Sequence, residues 1–194
     1  MKYRAAFALA AIVSLSGCGI NSVPTAEENA KAKWADVQND YQRRADLIPN
    51  LVATVKAAGA QEKSILVEVT QARASASQVK ISGADLTDPA KVAAYEQAQA
   101  GVTLSLQRLQ EAYPELKSQG NYTTLMSQLE GTENRIAIAR RDYNAAVQSY
   151  NTTIRTFPDA VGAKIFYGAK PMVPFQATTP GAETAPTVNF GNSN

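Results

Sequence analysis

Few side chains in this sequence are equipped for chemistry. Of 194 residues, one is cysteine and none is histidine. Without an imidazole, Ser-His-Asp and Cys-His catalysis are excluded, and the commonest zinc or copper ligand is gone. The single thiol, Cys18, follows Ser16 and Gly17, neighbours small enough to enter a peptidase groove and leave the sulfur open to alkylation. The remaining reactive groups are charged. Tyr41, Arg43, Arg44 and Asp46 form one run, loosely echoed by Arg140, Arg141, Asp142 and Tyr143. Glu130 and Glu133 make a Glu-x-x-Glu pair. Di-iron helical bundles combine such glutamates with histidines. Here no histidine accompanies them, so the expectation is no metal, no cofactor and no catalytic residue.

The surroundings of Cys18 give it a different job. Lys2 and Arg4 form a positive start, Phe7 to Val13 an apolar run, and small residues follow, which is the anatomy of a secretory signal. The run is too short for a permanent membrane span. Leu15-Ser16-Gly17-Cys18 resembles the lipobox of bacterial lipoproteins, in which cleavage precedes the cysteine and the thiol carries a diacylglycerol. The plainer reading is a secreted protein with a chance cysteine; the agreement of charge, apolar run and motif favours lipidation. With one cysteine, no disulfide can form within the chain.

Processing at that point removes residues 1–17. Lys2 and Arg4 leave with them, so 19 basic residues become 17, equal to the 17 acidic ones. The sequence pI of 8.6 therefore reflects the discarded peptide and gives no reason to expect nucleic acid as a partner. Attachment to a membrane would come from acyl chains, each buried methylene contributing roughly 0.8 kcal/mol. Gly19, a residue other than aspartate after the cysteine, resembles the sorting pattern for the periplasmic face of an outer membrane.

Four segments carry helical periodicity. The first, about 26–58, places Trp34, Val37, Tyr41, Ala45, Ile48, Val52 and Val55 three or four apart. Thr25 and Glu28 match a capping box at its start, and Gly59 fits a C-cap. Glu27 with Lys31 and Asp40 with Arg44 are favourable i,i+4 pairs. The second, about 60–79, shows Ile65, Val69, Ala72, Ala76 and Val79, followed by a loop, ISGADLTD. Asp88-Pro89 reads as N-cap and N1 of the third, with Val92, Tyr95, Gln99, Val102, Leu106, Leu109 and Tyr113 on one face. The fourth runs Leu125, Leu129, Thr132, Ile136, Ala139, Tyr143, Ala146, Tyr150 in unbroken three-four alternation.

The pattern predicts an all-α protein: an elongated antiparallel four-helix bundle with long helices, a kinked first helix and an irregular C-terminal segment. The expected division is a signal peptide over 1–17, a lipid tether over 18–24 and the bundle over 25–157. An apolar extension broken by Gly and Pro follows over 158–175, then a disordered tail over 176–194. PTVNF in that tail could alternatively be a short docking motif.

Pro49 breaks the logic of the first helix, because proline inside a helix costs about 3 kcal/mol. A new helix starting there would use Ile48 as N-cap, a poor choice, and the apolar phase continues across it. One kinked helix is therefore expected, with the Ala45 carbonyl needing water or a side chain as substitute donor. Pro114 poses the same problem in the third helix, where a break is as good an account as a kink. The two charged runs lie near mid-helix in the first and fourth helices. Arg44, Asp46, Arg140 and Asp142 are the expected interhelical polar network. Setting register explains such charges better than a buried site does. Asn121-Tyr122-Thr123 and Asn151-Thr152-Thr153 match sequons but are read as chance.

Two blocks carry a family resemblance: VPTAEENAKAKWADVQNDYQRRADLIPNLVATVKAA and LEGTENRIAIARRDYNAAVQSYNTTIRTFP. Over roughly residues 23–175 the chain resembles the LemA family of bacterial envelope proteins. That resemblance implies a long helical bundle held at the membrane by its N-terminus, with no established catalytic residue. Many members carry an uncleaved N-terminal membrane helix; the lipobox departs from that pattern. The expectation is a non-enzymatic lipoprotein of the cell envelope, anchored through Cys18 and acting as scaffold or adaptor for envelope proteins. The alternative is a ligand-binding module or a hydrolase using carboxylates within the bundle.

Overall fold

A computed structural model describes residues 21–59 and 63–176. The signal segment, Cys18, the residues around PTVNF and the rest of the tail beyond Gln176 lie outside the described residues. The described chain is all-helical and contains no strand.

Helix α1 runs from Ser22 to Ala57 and is continuous through Pro49. Its first turn begins three residues before the expected capping box. Thr25 consequently sits inside the helix, where its hydroxyl donates back to the Asn21 carbonyl (2.6 Å). Glu28 is drawn instead to Lys31, which also meets Glu27, both at 2.8 Å. Gly59, just past the helix, has φ +85°, a left-handed conformation that favours glycine. Helix α2 (Lys63–Gln78) is shorter and ends on RASASQ, with Ala76 buried.

The expected loop after α2 contains a 3₁₀ turn, Gly83–Thr87, that buries Leu86. The Asp85 carboxylate closes it by accepting from the Ser82 N–H (2.9 Å) and hydroxyl (2.6 Å). Helix α3 (Pro89–Ala112) is capped by Asp88, whose Oδ1 accepts from the Ala90 N–H at 2.9 Å. Its predicted face, Val92 through Tyr113, is buried throughout. Pro114 ends α3 and opens a second 3₁₀ turn, Pro114–Ser118. Tyr113 leaves the helical region with φ −126° and ψ 62°, as the residue before proline tends to.

Helix α4 (Gly120–Thr153) carries the predicted stripe, buried from Leu129 through Tyr150. A short α5 (Asp159–Gly162) continues as a π-turn, Ala163–Tyr167, closed by Gly168 at φ +55°. Beyond it, residues 169–176 fold back over the helices rather than trailing away.

Two apolar clusters fill the interior. One gathers rings and small residues from the first half of α1, the start of α3, the second half of α4 and the returning segment, including Trp34, Tyr41, Tyr95, Tyr143 and Phe175. The other gathers aliphatic residues from the second half of α1, from α2, and from the facing parts of α3 and α4, including Ile48, Leu51, Val55, Val69 and Leu109.

Candidate functional site

Arg44 stands at the junction of these clusters and is only 1% exposed. A buried guanidinium is tolerated when its donors and its charge are both matched. Nη1 donates to Glu133 Oε1 (2.6 Å) and Thr103 Oγ1 (2.8 Å). Nη2 donates to the Gln99 carbonyl (3.0 Å) and its side-chain Oε1 (2.7 Å). The guanidinium carbon lies 4.9 Å from the Tyr41 ring centre, a cation–π contact. Helices α1, α3 and α4 thus meet on one charge.

Arg140, on α4, does comparable work at the aromatic end. Its Nη2 donates to the Gln176 carbonyl (2.8 Å) and lies 3.5 Å from Glu96 Oε1, while its Cζ sits 4.7 Å above Phe175. Burial raises the Glu96 carboxyl pKa; the Gln176 N–H and Arg140 pull it partly back. Burial likewise raises the phenol pKa values of Tyr41, Tyr95 and Tyr143.

The expected network of Arg44, Asp46, Arg140 and Asp142 is not assembled. Asp46 is exposed and accepts from Gln42 (2.7 Å), whereas Asp142 faces Arg141 at 3.5 Å. The reason is helical geometry: each aspartate is two residues beyond its arginine, and i,i+2 residues do not share a face. Asp40 also bypasses Arg44 and lies 3.7 Å from Arg135 on α4. Of the Glu-x-x-Glu pair, Glu130 is exposed and Glu133 is held by Arg44.

The substitute donor for Pro49 is identified by the packing of α2 on α1. Arg73 Nε donates to the Ala45 carbonyl at 2.7 Å, the bond that the proline nitrogen cannot make. Arg73, Arg44, Gln38, Tyr41, Lys80 and Tyr95 line an open cleft of about 330 Å³ between α1, α2 and α3. The lining contains no carboxylate and no nucleophilic thiol. Its lining offers hydrogen-bonding side chains and the positive charges of Arg73 and Lys80.

The returning segment is fastened by side chains that sequence reading had passed over. Asn144 brackets Phe175, donating to its carbonyl (3.0 Å) and accepting its N–H (2.8 Å). Asn151 does the same for Met172, at 2.8 and 2.9 Å. Tyr143 donates to the Val173 carbonyl (3.0 Å), and the Val173 N–H donates to the Leu86 carbonyl (2.8 Å). Gln176, expected as the first residue of a disordered tail, donates its N–H to Glu96 (2.9 Å). The signal was present: Asn144 and Asn151 are seven apart on α4, each directly after a buried tyrosine. Arg44 was also legible, since 37, 41, 44, 48 continue a three-four stripe in which Ala45 had been placed.

Comparison with known proteins gives consistent results. The chain is 30% identical over 157 residues to magnetosome proteins MamQ 1 and MamQ 2 of Paramagnetospirillum magneticum, covering 71% of this chain and 58% of each relative. It is 29% identical to magnetosome protein MamQ of Magnetospirillum gryphiswaldense over the same shares. The chain thus spans 58% of the length of the curated relatives it matches. The family model described as LemA family matches residues 33–190, taking in the Arg44 centre, both asparagine brackets and α1 from residue 33 onward, Pro49 included. The chain belongs to the LemA family.

Proposed function

We propose that this LemA-family chain is a non-enzymatic lipoprotein of the cell envelope, tethered through Cys18 and serving as a scaffold for envelope proteins. The proposed arrangement is an antiparallel four-helix bundle over 25–157, preceded by a signal peptide over 1–17. Pairs running in opposite directions along α1 and α4 support it: Trp34 with Tyr143, Asp40 with Arg135, Arg44 with Glu133.

The observation that carries the non-enzymatic reading is the saturation of the interior charges. The Arg44 and Arg140 side chains spend their donors on structural partners, and the aspartates beside them face outward. Helix α1 begins at Ser22, so the tether is shorter than 18–24. Four residue steps from Cys18 reach roughly 14 Å at most, which keeps the helices close to the bilayer. Among the described residues no helix is long and apolar enough to cross a membrane.

Cys18→Ala should release the protein from washed membranes, and retention there would overturn the lipid anchor. Asp46→Asn and Asp142→Asn should leave function intact; loss of function without loss of melting temperature would favour the hydrolase reading. The ligand-binding reading would act at the cleft lined by Arg73 and Lys80. Crosslinking in cells followed by mass spectrometry identifies the partners that a scaffold requires.

A further inference from the structure

Eight large apolar side chains are exposed among the described residues, and their distribution is uneven. Val67, Leu104 and Ile138 are scattered singly on three helices, which is ordinary for a protein surface. The other five fall within residues 157–167: Phe157 (81% exposed), Val161 (50%), Ile165 (69%), Phe166 (67%) and Tyr167 (42%). They are displayed from a fastened base rather than from a loose loop. Gly162 and Ala163 are buried beneath them, and the Ala169 N–H donates to the Ala163 carbonyl at 3.0 Å.

Two observations specify what the patch meets. The first is position. Ser22, the first residue of α1, donates its hydroxyl to Asp159 Oδ1 at 2.6 Å, so the patch abuts the point where the chain arrives from Cys18. The second is charge. Arg155, Lys164 and Lys170, in the same stretch of chain as the rings, are exposed, and Asp159, the one acid between residues 154 and 175, is engaged by Ser22. Aromatic and aliphatic side chains interspersed along the chain with basic ones match the boundary between acyl chains and anionic headgroups.

We propose that the Phe157–Tyr167 segment is a second membrane contact, which seats α5 and its π-turn in the surface of a bilayer bearing anionic phospholipid. The proposal rests on the lipid-anchored reading above. Acyl chains on Cys18 hold the molecule at the surface, and the patch fixes which end faces it. The opposite end, at the 3₁₀ turn Pro114–Ser118, then stands away from the lipid by the length of α1, ~54 Å.

The test uses the full-length lipidated protein reconstituted in phosphatidylcholine–phosphatidylglycerol vesicles. Lipidation occupies Cys18, so Phe166→Cys and Lys117→Cys each introduce one labelling site for an environment-sensitive fluorophore. With brominated acyl chains, the label at 166 should lose roughly half its emission and the label at 117 almost none. The loss at 166 should shrink when phosphatidylglycerol is omitted. Vesicle flotation without quenching at 166 overturns the membrane contact and leaves the anchor standing. Quenching at both positions overturns the end-on arrangement. A protein that fails to float, with Cys18 itself labelled, overturns the anchor and this proposal together. Ile165→Ser/Phe166→Ser should keep the wild-type melting temperature; a wild-type dimer that this variant converts to monomer would identify a second copy as the occupant and overturn the proposal.

Discussion

The two ends of the molecule solve the same packing problem in different ways. Both are built on α1 and α4 with α3 alongside. At the aliphatic end the remaining wall is α2, which meets its own backbone hydrogen bonds and contributes Leu66, Val69 and Ala76 to the core. With 16 residues α2 reaches only ~24 Å, against ~54 Å for the 36 residues of α1. At the aromatic end the wall is therefore completed by an extended segment, residues 169–176. Such backbone has no helical hydrogen bonds of its own, so its N–H and C=O groups must find partners elsewhere in the molecule. Asn144, Asn151 and Tyr143 meet several of them, which is why the aromatic end carries these polar side chains beside its stripe. Phe175 from that segment stacks on Trp34, their ring centres 5.5 Å apart.

Arg44 joins the two ends, and removing it should have the largest effect. Arg44→Met leaves the buried Gln99 side chain without its donor and the partly exposed Glu133 without its counter-ion, and should cost about 2–3 kcal/mol, read by denaturant unfolding. Adding Glu133→Leu should recover much of that loss. A single mutant that unfolds at the wild-type midpoint would mean the two ends do not depend on the charge between them.

Next in size is Asn144→Ala. It strips two hydrogen bonds from Phe175 and should cost about 2 kcal/mol. Hydrogen exchange should accelerate at residues 172–176 while Leu66 and Val69 amides keep their protection. Uniform acceleration across both clusters would erase the distinction between a side-chain-bracketed wall and a helical one.

The aliphatic end has one comparable dependency, at Pro49. Arg73→Ala should cost about 1–2 kcal/mol by leaving the Ala45 carbonyl unpaired. In a Pro49→Ala background, where a backbone N–H returns, the same change should cost less. A double-mutant cycle measures the difference, and additive effects would deny Arg73 its substitute role.

The smallest effect concerns Asp85, in the turn beneath the returning segment. Its hydrogen bond with Lys91, then those from Ser82, hold its carboxyl below the ordinary value of 3.8. A carboxyl depressed by folding contributes stability while ionised. That contribution is complete above the unfolded value and is lost as pH falls through the folded one. An NMR titration should place the Asp85 midpoint below 3.8, moving back up in Lys91→Ala.

Helix existence, phase and most boundaries were legible in the sequence because each depends on neighbours within one or two turns. The faces of α3 and α4 read off three-four spacing are the buried faces, and the Asp88-Pro89 start is where α3 begins. The need for a donor at Ala45 was legible for the same local reason. The polar partnerships were not. Spacing along one chain shows that Arg44 and Arg140 are near charged neighbours, but their partners are 89, 55 and 44 residues away.

The sequence by itself therefore determined an all-helical chain of this family, the stripes that must be buried and the carbonyl that Pro49 leaves open. Only the tertiary structure decided that Arg44 meets Glu133 rather than Asp46, that Arg73 closes the Pro49 gap, and that residues 169–176 wall the aromatic end. Backbone propensity and periodicity act over a few residues, whereas a buried charge or an unpaired carbonyl takes whatever partner three-dimensional packing brings within 3 Å.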